Sequence, residues 1–377
     1  MWFIYFCPIF YMKSIYIFLF SFLLSETLIA QSYERSIQNI IDSFYNAHPK
    51  SVGIMINIES TSKKKSWTYA VGYSDKNLKT PLNAYQPALT ASNTKTFVAA
   101  AILKLVEQHK LDIEQPIDNL INNNTNNLLS NAGYLTKQIN IRHLLSHTSG
   151  IADYVNDDYF DFVDKNKKYQ WTRDEQIKLA TTIGKPLAMP GDTFKYADIN
   201  YLLATEIIEN TSKQPYFTAI SELLEFNKNK IHATWFVSIQ KVPKKSKPLV
   251  HQYSDKFKWD SYDLNPSWDL YGGGGIATTT QDISKFFKLL FEGKIIQDTN
   301  LLSKMCSPVY SKSNYCLGIR KIVMNGQPAY YHGGWWGTDA MYFPNLKTSL
   351  AIYILERSEK NISSEICKQV LKIIDTK

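Results

Sequence analysis

A serine hydroxyl is a weak nucleophile at neutral pH and needs a base within hydrogen-bond reach. Lysine can be that base where desolvation or nearby positive charge favours its neutral form. Residues three apart on a helix share a face, so a Ser-x-x-Lys run sets hydroxyl and amine side by side. At a helix start the macrodipole also favours negative charge developing on the oxygen. The chain of 377 residues has four such runs, beginning at Ser60, Ser62, Ser92 and Ser238. Ser60 and Ser62 fall in a lysine-rich turn, and Ser238 has no strong apolar helix behind it. Only Ser92-Asn93-Thr94-Lys95 opens one. On local pattern alone Ser92 is either a nucleophile with Lys95 as its base, or an N-cap serine followed by a solvated lysine. His143 and His147, four apart, are a second candidate pair. Leu144 and Leu145 follow His143, so the H-E-x-x-H zinc arrangement is absent.

Hydrophobic periodicity supplies the elements that must position these groups. Ile37, Ile40, Ile41 and Phe44 predict an amphipathic helix over 32–47. Residues 51–58 and 66–72 read as strands of a hairpin closed by lysines. Phe97, Ala101 and Leu105, with Val98, Ile102 and Val106, predict a helix over 93–109 with a wide apolar stripe. A polar, Asn-rich stretch covers 121–132, a helix lies around 141–147, and mixed helix and loop run to about 265. Strands return over 315–323, 328–332, 338–343 and 348–355, and a last helix covers 359–374. Strands at both ends with helices between them predict an α+β fold. Its antiparallel sheet is built from both termini and flanked by helices, with an inserted, mainly helical lobe. The expected division is an α/β lobe over about 31–90 and 266–377 and a helical lobe over about 91–265, with a site in the cleft between them.

Several ordered motifs add to this. Ser92-Asn93-Thr94-Lys95-Thr96-Phe97 is followed by Ile141-Arg142-His143-Leu144-Leu145-Ser146-His147-Thr148-Ser149-Gly150-Ile151. Then come Leu187-Ala188-Met189-Pro190-Gly191 through Tyr196-Ala197-Asp198 to Tyr201-Leu202-Leu203. Gly273-Gly274-Gly275-Ile276-Ala277-Thr278 and Tyr331-His332-Gly333-Gly334 complete the series. Together, from about residue 36 to 357, they resemble the serine β-lactamase-like superfamily. That group includes penicillin-binding DD-peptidases, class C β-lactamases, D-aminopeptidases and carboxylesterases. The resemblance implies a β-lactamase/transpeptidase-like fold and an acyl-enzyme mechanism on ester or amide bonds, with no metal and no cofactor. It implies Ser92 as nucleophile, Lys95 as base and Tyr196 as the proton shuttle to the leaving group. The Pro-Gly turn before Tyr196 and the Tyr-Leu-Leu after it separate it from the Y-x-[D/N] runs at Tyr73, Tyr154, Tyr159 and Tyr253. Asp198, His332, Gly333 and Gly334 would bind substrate, and the Ser92 and Trp335 amides would form the oxyanion hole. His332 would hydrogen-bond a substrate carboxylate or help position Tyr196, with a charge that varies near neutral pH. His143 and His147 become structural.

Asp198 departs from the pattern, because the lactamase and peptidase branches usually carry Asn there. An ionised carboxylate accepts but cannot donate to a substrate carbonyl. It can pair with Lys95 instead. This favours an esterase or D-amino-acid peptidase over a class C β-lactamase. The readings that compete are that lactamase and a non-catalytic penicillin-recognising module on the same fold.

Hydrophobic residues at 44% and charged residues at 20% exclude wholesale disorder. The net charge of +8 gathers in short runs such as Lys63-Lys64-Lys65, with no basic face bearing stacked aromatics, so nucleic acid is not an expected partner. The expected partner is a small-molecule or peptide substrate, including peptidoglycan-derived ones. Residues 1–31 carry only Lys13 and Glu26 as charges. Met12-Lys13-Ser14, the apolar run to Leu24 and the small residue Ala30 read as a signal peptide over 1–30, with Met12 as an alternative start. Secretion or a periplasmic location follows; an uncleaved leader would instead act as a membrane anchor. Cys306, Cys316 and Cys367 permit one disulfide or three unpaired thiols.

Overall fold

Isoleucines at every second position of 53–60 build a strand with one wholly apolar face. The computed structural model describes residues 33–357 and 362–375 and follows that pattern; the leader expected over 1–30 lies outside them. The strands are β1 (Gly53–Ser60), β2 (Lys65–Asp75), β3 (Thr80–Pro81), β4 (Ala88–Leu89), β5 (Trp235–Phe236), β6 (Tyr253–Ser254), β7 (Trp259–Asp260), β8 (Ile276–Thr278), β9 (Arg320–Met324), β10 (Gln327–Gly334), β11 (Thr338–Phe343), β12 (Thr348–Ile354) and β13 (Glu356–Arg357). The helices are α1 (33–47), α2 (Thr94–Glu107), α3 (Asn123–Asn131), α4 (Ile141–Leu145), α5 (Asp157–Lys165), α6 (Arg173–Ile183), α7 (Ile199–Ser212), α8 (Tyr216–Leu223), α9 (Thr280–Phe291), α10 (Thr299–Met305) and α11 (Ile362–Ile374). The main sheet runs β3-β2-β1-β12-β11-β10-β9, antiparallel throughout. Strands from both ends of the chain meet at its centre, where Ile54 pairs with Ile354 and Ile56 with Ile352. This is the α+β architecture the sequence predicts.

Both faces of the sheet are covered. Ile54, Ile56, Ile58, Leu350 and Ile352 pack with Ile37 and Ile41 of α1 and with Ile366 and Val370 of α11. The opposite face, including Met55, Ala351 and Tyr353, joins a larger core with α2, α7 and α9. Even the polar residues on that face find partners: Lys288 of α9 pairs with Glu59 at 2.7 Å.

Helix α2 is more enclosed than its apolar stripe predicts. Every residue from Thr94 to Leu103 is buried, and Leu105 with them. Phe97 stacks on Phe286 of α9 at 3.8 Å between ring centroids. The Asn-rich stretch also differs, since it holds α3, anchored by buried Thr125 and Leu129; two adjacent leucines give no readable helical period. The strand expected from residue 315 begins only at Arg320. Gly318 interrupts it at φ +72°, and a Cβ there would stand 2.4 Å from that of Ala99. The chain must turn tightly over α2 before β9 can start. Cys306, Cys316 and Cys367 are all free and buried.

The two-sided burial of β1 sets an expectation. Ile56→Ala should cost about 2–5 kcal/mol in urea denaturation, whereas Val323→Ala, at a side chain 73% exposed on β9, should stay within about 0.5 kcal/mol.

Candidate active site

Ser92 lies in a 3-10 turn, Ala91–Asn93, that runs into α2. Ala91 before it is held at φ +44°, a left-handed conformation that a Cβ disfavours. The turn is over-determined by its neighbours. Asn93 Nδ2 donates to Thr90 O at 3.1 Å and to Thr338 O of β11 at 3.0 Å. Thr90 N donates to Ile276 O of β8 at 2.9 Å.

One turn later Lys95 has no exposed surface. Its Nζ donates to Ser92 Oγ at 3.0 Å and to Gly273 O at 2.5 Å, and forms an ion pair with Asp198 Oδ1 at 2.7 Å. An ammonium has three N–H groups, and here it has three acceptors. The expected pairing of Asp198 with Lys95 is therefore present. Tyr196 lines the same cavity as Ser92, and its ring lies 5.0 Å from Lys95 Nζ. Burial, and then the Asp198 charge, push the Tyr196 phenol well above its usual range, so it carries its proton.

The 141–151 motif is the clamp beneath these groups. Lys195 N donates to His147 O at 2.9 Å, and Ala197 N donates to His147 Nδ1 at 3.2 Å. Tyr201 Oη donates to Leu145 O at 2.8 Å, and Ser149 Oγ to Asn200 Oδ1 at 2.6 Å. His143 meanwhile caps α4 reciprocally with Asn140. Both histidines thus hold backbone, and His147 fixes the height of the Tyr196–Asp198 turn.

His332 is buried and has both ring nitrogens engaged. Nδ1 faces Gly333 O at 2.9 Å, and Nε2 faces Tyr315 Oη at 3.0 Å. A carbonyl cannot donate, so Nδ1 carries the hydrogen and Nε2 accepts from the Tyr315 hydroxyl. Burial, then the Lys95 charge, lower its pKa to about 3. The ring is neutral across the physiological range, unlike the variable charge expected of it. Tyr315 stands between it and Tyr196, its ring centroid 5.8 Å from that of Tyr196.

Gly333 and Gly334 allow the approach of β10. A Cβ on Gly334 would lie 2.1 Å from Thr90 O, and one on Gly333 would lie 2.4 Å from Tyr331 Oη. Gly334 thereby brings the end of β10, and Trp335 after it, against the Ser92 turn. Ser92, Tyr196, His332, Gly333, Gly334 and Trp335 all line one cavity of about 510 Å³. Asp198 lies behind it, at Lys95.

Three participants were not singled out from sequence. Gly273 supplies the carbonyl for Lys95, and its Cα abuts Asp198, since a Cβ would lie 3.2 Å from Asp198 Cγ. Asp269 packs against the neighbouring Gly274. Asp153, just past the 141–151 motif, accepts from Ile199 N at 3.3 Å at the start of α7. Burial, then the Asp198 charge, raise the carboxyls of Asp153 to about 7 and Asp269 to about 8. No motif marks Asp269; the Gly-rich run after it was the only signal nearby. Because its folded pKa lies above the unfolded value, the folded state binds the extra proton between about pH 4 and 8, and stability falls as pH rises through that window. Asp269→Asn should remove this fall, so that urea midpoints of variant and wild type diverge from pH 5 to pH 8 in favour of the variant. Parallel midpoints would contradict the assignment.

The sequence matches the Beta-lactamase family over residues 60–361. Penicillin-binding protein 4* of Bacillus subtilis is 24% identical over 310 residues, 77% of this chain, and the chain spans 65% of that protein's length. The fold matches the D-amino acid amidase of Ochrobactrum anthropi SV3 with a TM-score of 0.75, at 21% identity, covering 91% of this chain and 98% of that one. It matches EstCE1, a hydrolase with promiscuous acyltransferase activity, with a TM-score of 0.70, at 17% identity, over 90% and 99% of the two chains. The chain therefore belongs to the Beta-lactamase family.

Proposed function

We propose that this protein is a serine hydrolase that cleaves esters or D-amino-acid amides and peptides through a Ser92 acyl-enzyme. The observation that carries the reading is the contact of Lys95 Nζ with Ser92 Oγ at 3.0 Å, with the Tyr196 ring 5.0 Å from the same nitrogen. Ser92 Oγ attacks the substrate carbonyl carbon and gives its proton to Lys95. For Lys95 to accept, it must first release one of its three protons, and the Asp198 carboxylate at 2.7 Å is the acceptor in place. The Ser92 and Trp335 amides take the oxyanion. Tyr196, which holds its proton, protonates the leaving amine or alkoxide as the carbon–heteroatom bond breaks, and Lys95 restores it. Water then attacks the acyl-enzyme by the same proton path in reverse.

Asp198 supports ester and D-amino-acid substrates over β-lactams, because its carboxylate is committed to Lys95 and offers no N–H to a substrate carbonyl. The D-amino acid amidase among the similar folds supports the same choice. The leader-like residues 1–30 support export, with Gln31 as the mature N-terminus found on sequencing the exported protein.

Intact-mass analysis after a fluorophosphonate should give one adduct that Ser92→Ala abolishes; no adduct on wild type would sink the proposal. A parallel penicillin incubation sorts the lactam branch. Gly334→Ala should lower kcat for a nitrophenyl ester by about 10²-fold, the scale of a lost oxyanion donor. Asp198→Asn should lower it by at least about 10-fold, through the lost proton acceptor.

A further inference from the structure

Next to the Ser92 cavity lies a second one of about 960 Å³, which shares Trp335, Glu356, Arg357 and Ile362 with it. Three rings from separate segments lie nearly parallel along it. Phe160 and Phe257 are 5.3 Å apart at 23°, Phe160 and Trp335 6.2 Å apart at 21°, and Phe257 and Trp335 6.2 Å apart at 29°. Phe257 stacks further on Trp259 at 4.5 Å, and the ring surface left toward the cavity gives it an apolar floor suited to a flat apolar group.

Cations rim this shelf. The Arg357 guanidinium lies 4.5 Å over the Trp335 ring, and Lys256 Nζ 5.0 Å over Phe257; Lys50 lines the same wall. The two acids on the wall are already committed. Asp255 pairs with Lys258 at 2.6 Å, and Glu356 with Lys76 at 4.0 Å. Among the described residues Arg357, Lys256 and Lys50 have no such ion pair. The wall is thus left with uncompensated positive charge around an apolar floor. A guanidinium stacked on an indole keeps its N–H fork free for a carboxylate.

We propose that this groove is a subsite for the part of the substrate extending past Trp335, and that it selects a flat or aromatic group bearing a carboxylate, held by Arg357. The inference rests on the acyl-enzyme reading at Ser92 and narrows its substrate class to anionic aromatic esters or amides. Arg357 acts here in binding and takes no part in bond cleavage.

Arylboronic acids, which add reversibly to a reactive serine, separate the two claims. A ladder carrying a carboxylate on spacers of increasing length is compared with the matching methyl esters and with phenylboronic acid. At least one carboxylate member should inhibit ten-fold more tightly than its methyl ester. Arg357→Gln should abolish that advantage and Arg357→Lys should keep part of it, while phenylboronic acid inhibits all three proteins alike. Phe257→Ala should weaken the carboxylate member and its methyl ester together. Equal inhibition by acid and ester throughout the ladder, with phenylboronic acid active, would overturn the subsite alone. So would an advantage that survives Arg357→Gln. No inhibition by any boronate would instead count against the Ser92 reading.

Discussion

Lys95 places an amine where no water reaches, and an unpaired ammonium in such a position would cost several kcal/mol. Its compensation comes from three directions. Ser92 belongs to its own helix start, Gly273 to the segment before β8, and Asp198 to the start of α7. Those three segments must therefore converge, and much of the surrounding structure secures their convergence. The side-chain bonds of Asn93 tie the Ser92 turn to β11, and His147 pins the turn that carries Asp198. Gly273 and Gly274 permit two aspartates to press against backbone, because neither presents a Cβ.

The same convergence creates an electrostatic excess. One amine faces Asp198, and Asp153 and Asp269 feel the Asp198 charge through a medium that screens poorly. Three ionised carboxylates against one ammonium is an unfavourable balance there, and retained protons on Asp153 and Asp269 reduce it. An asparagine at 198 would remove one negative charge and with it much of the reason for those protons. Asp198 thus sets the ionisation of a cluster as well as offering an acceptor to Lys95.

How much of this was legible in the sequence differs by kind of feature. The sheet was readable because Ile54, Ile56 and Ile58 alternate and because β11 and β12 are short apolar runs with clear ends. Ser92 was readable once the helix behind it set it apart from Ser60, Ser62 and Ser238. The burial of α2 on all sides was not, since which helix occupies the centre depends on long-range packing with α7, α8 and α9. The neutrality of His332 was equally hidden, because it follows from its burial and from the Lys95 charge, which only the folded chain brings to it. Asp269 had no pattern of its own, being defined by the space that Gly274 leaves.

Gly334 shows how catalysis and recognition share one strand. Its missing side chain lets β10 close on the Ser92 turn and brings Trp335 against it. The Trp335 ring lies beside Phe160 and Phe257 and supports Arg357 on its face. In the proposed reaction the residue whose amide takes the oxyanion is thus also the residue whose side chain lines the neighbouring groove. A group bound in that groove would load the same short segment that orients the oxyanion donor, so binding there is suited to act on kcat as well as on KM.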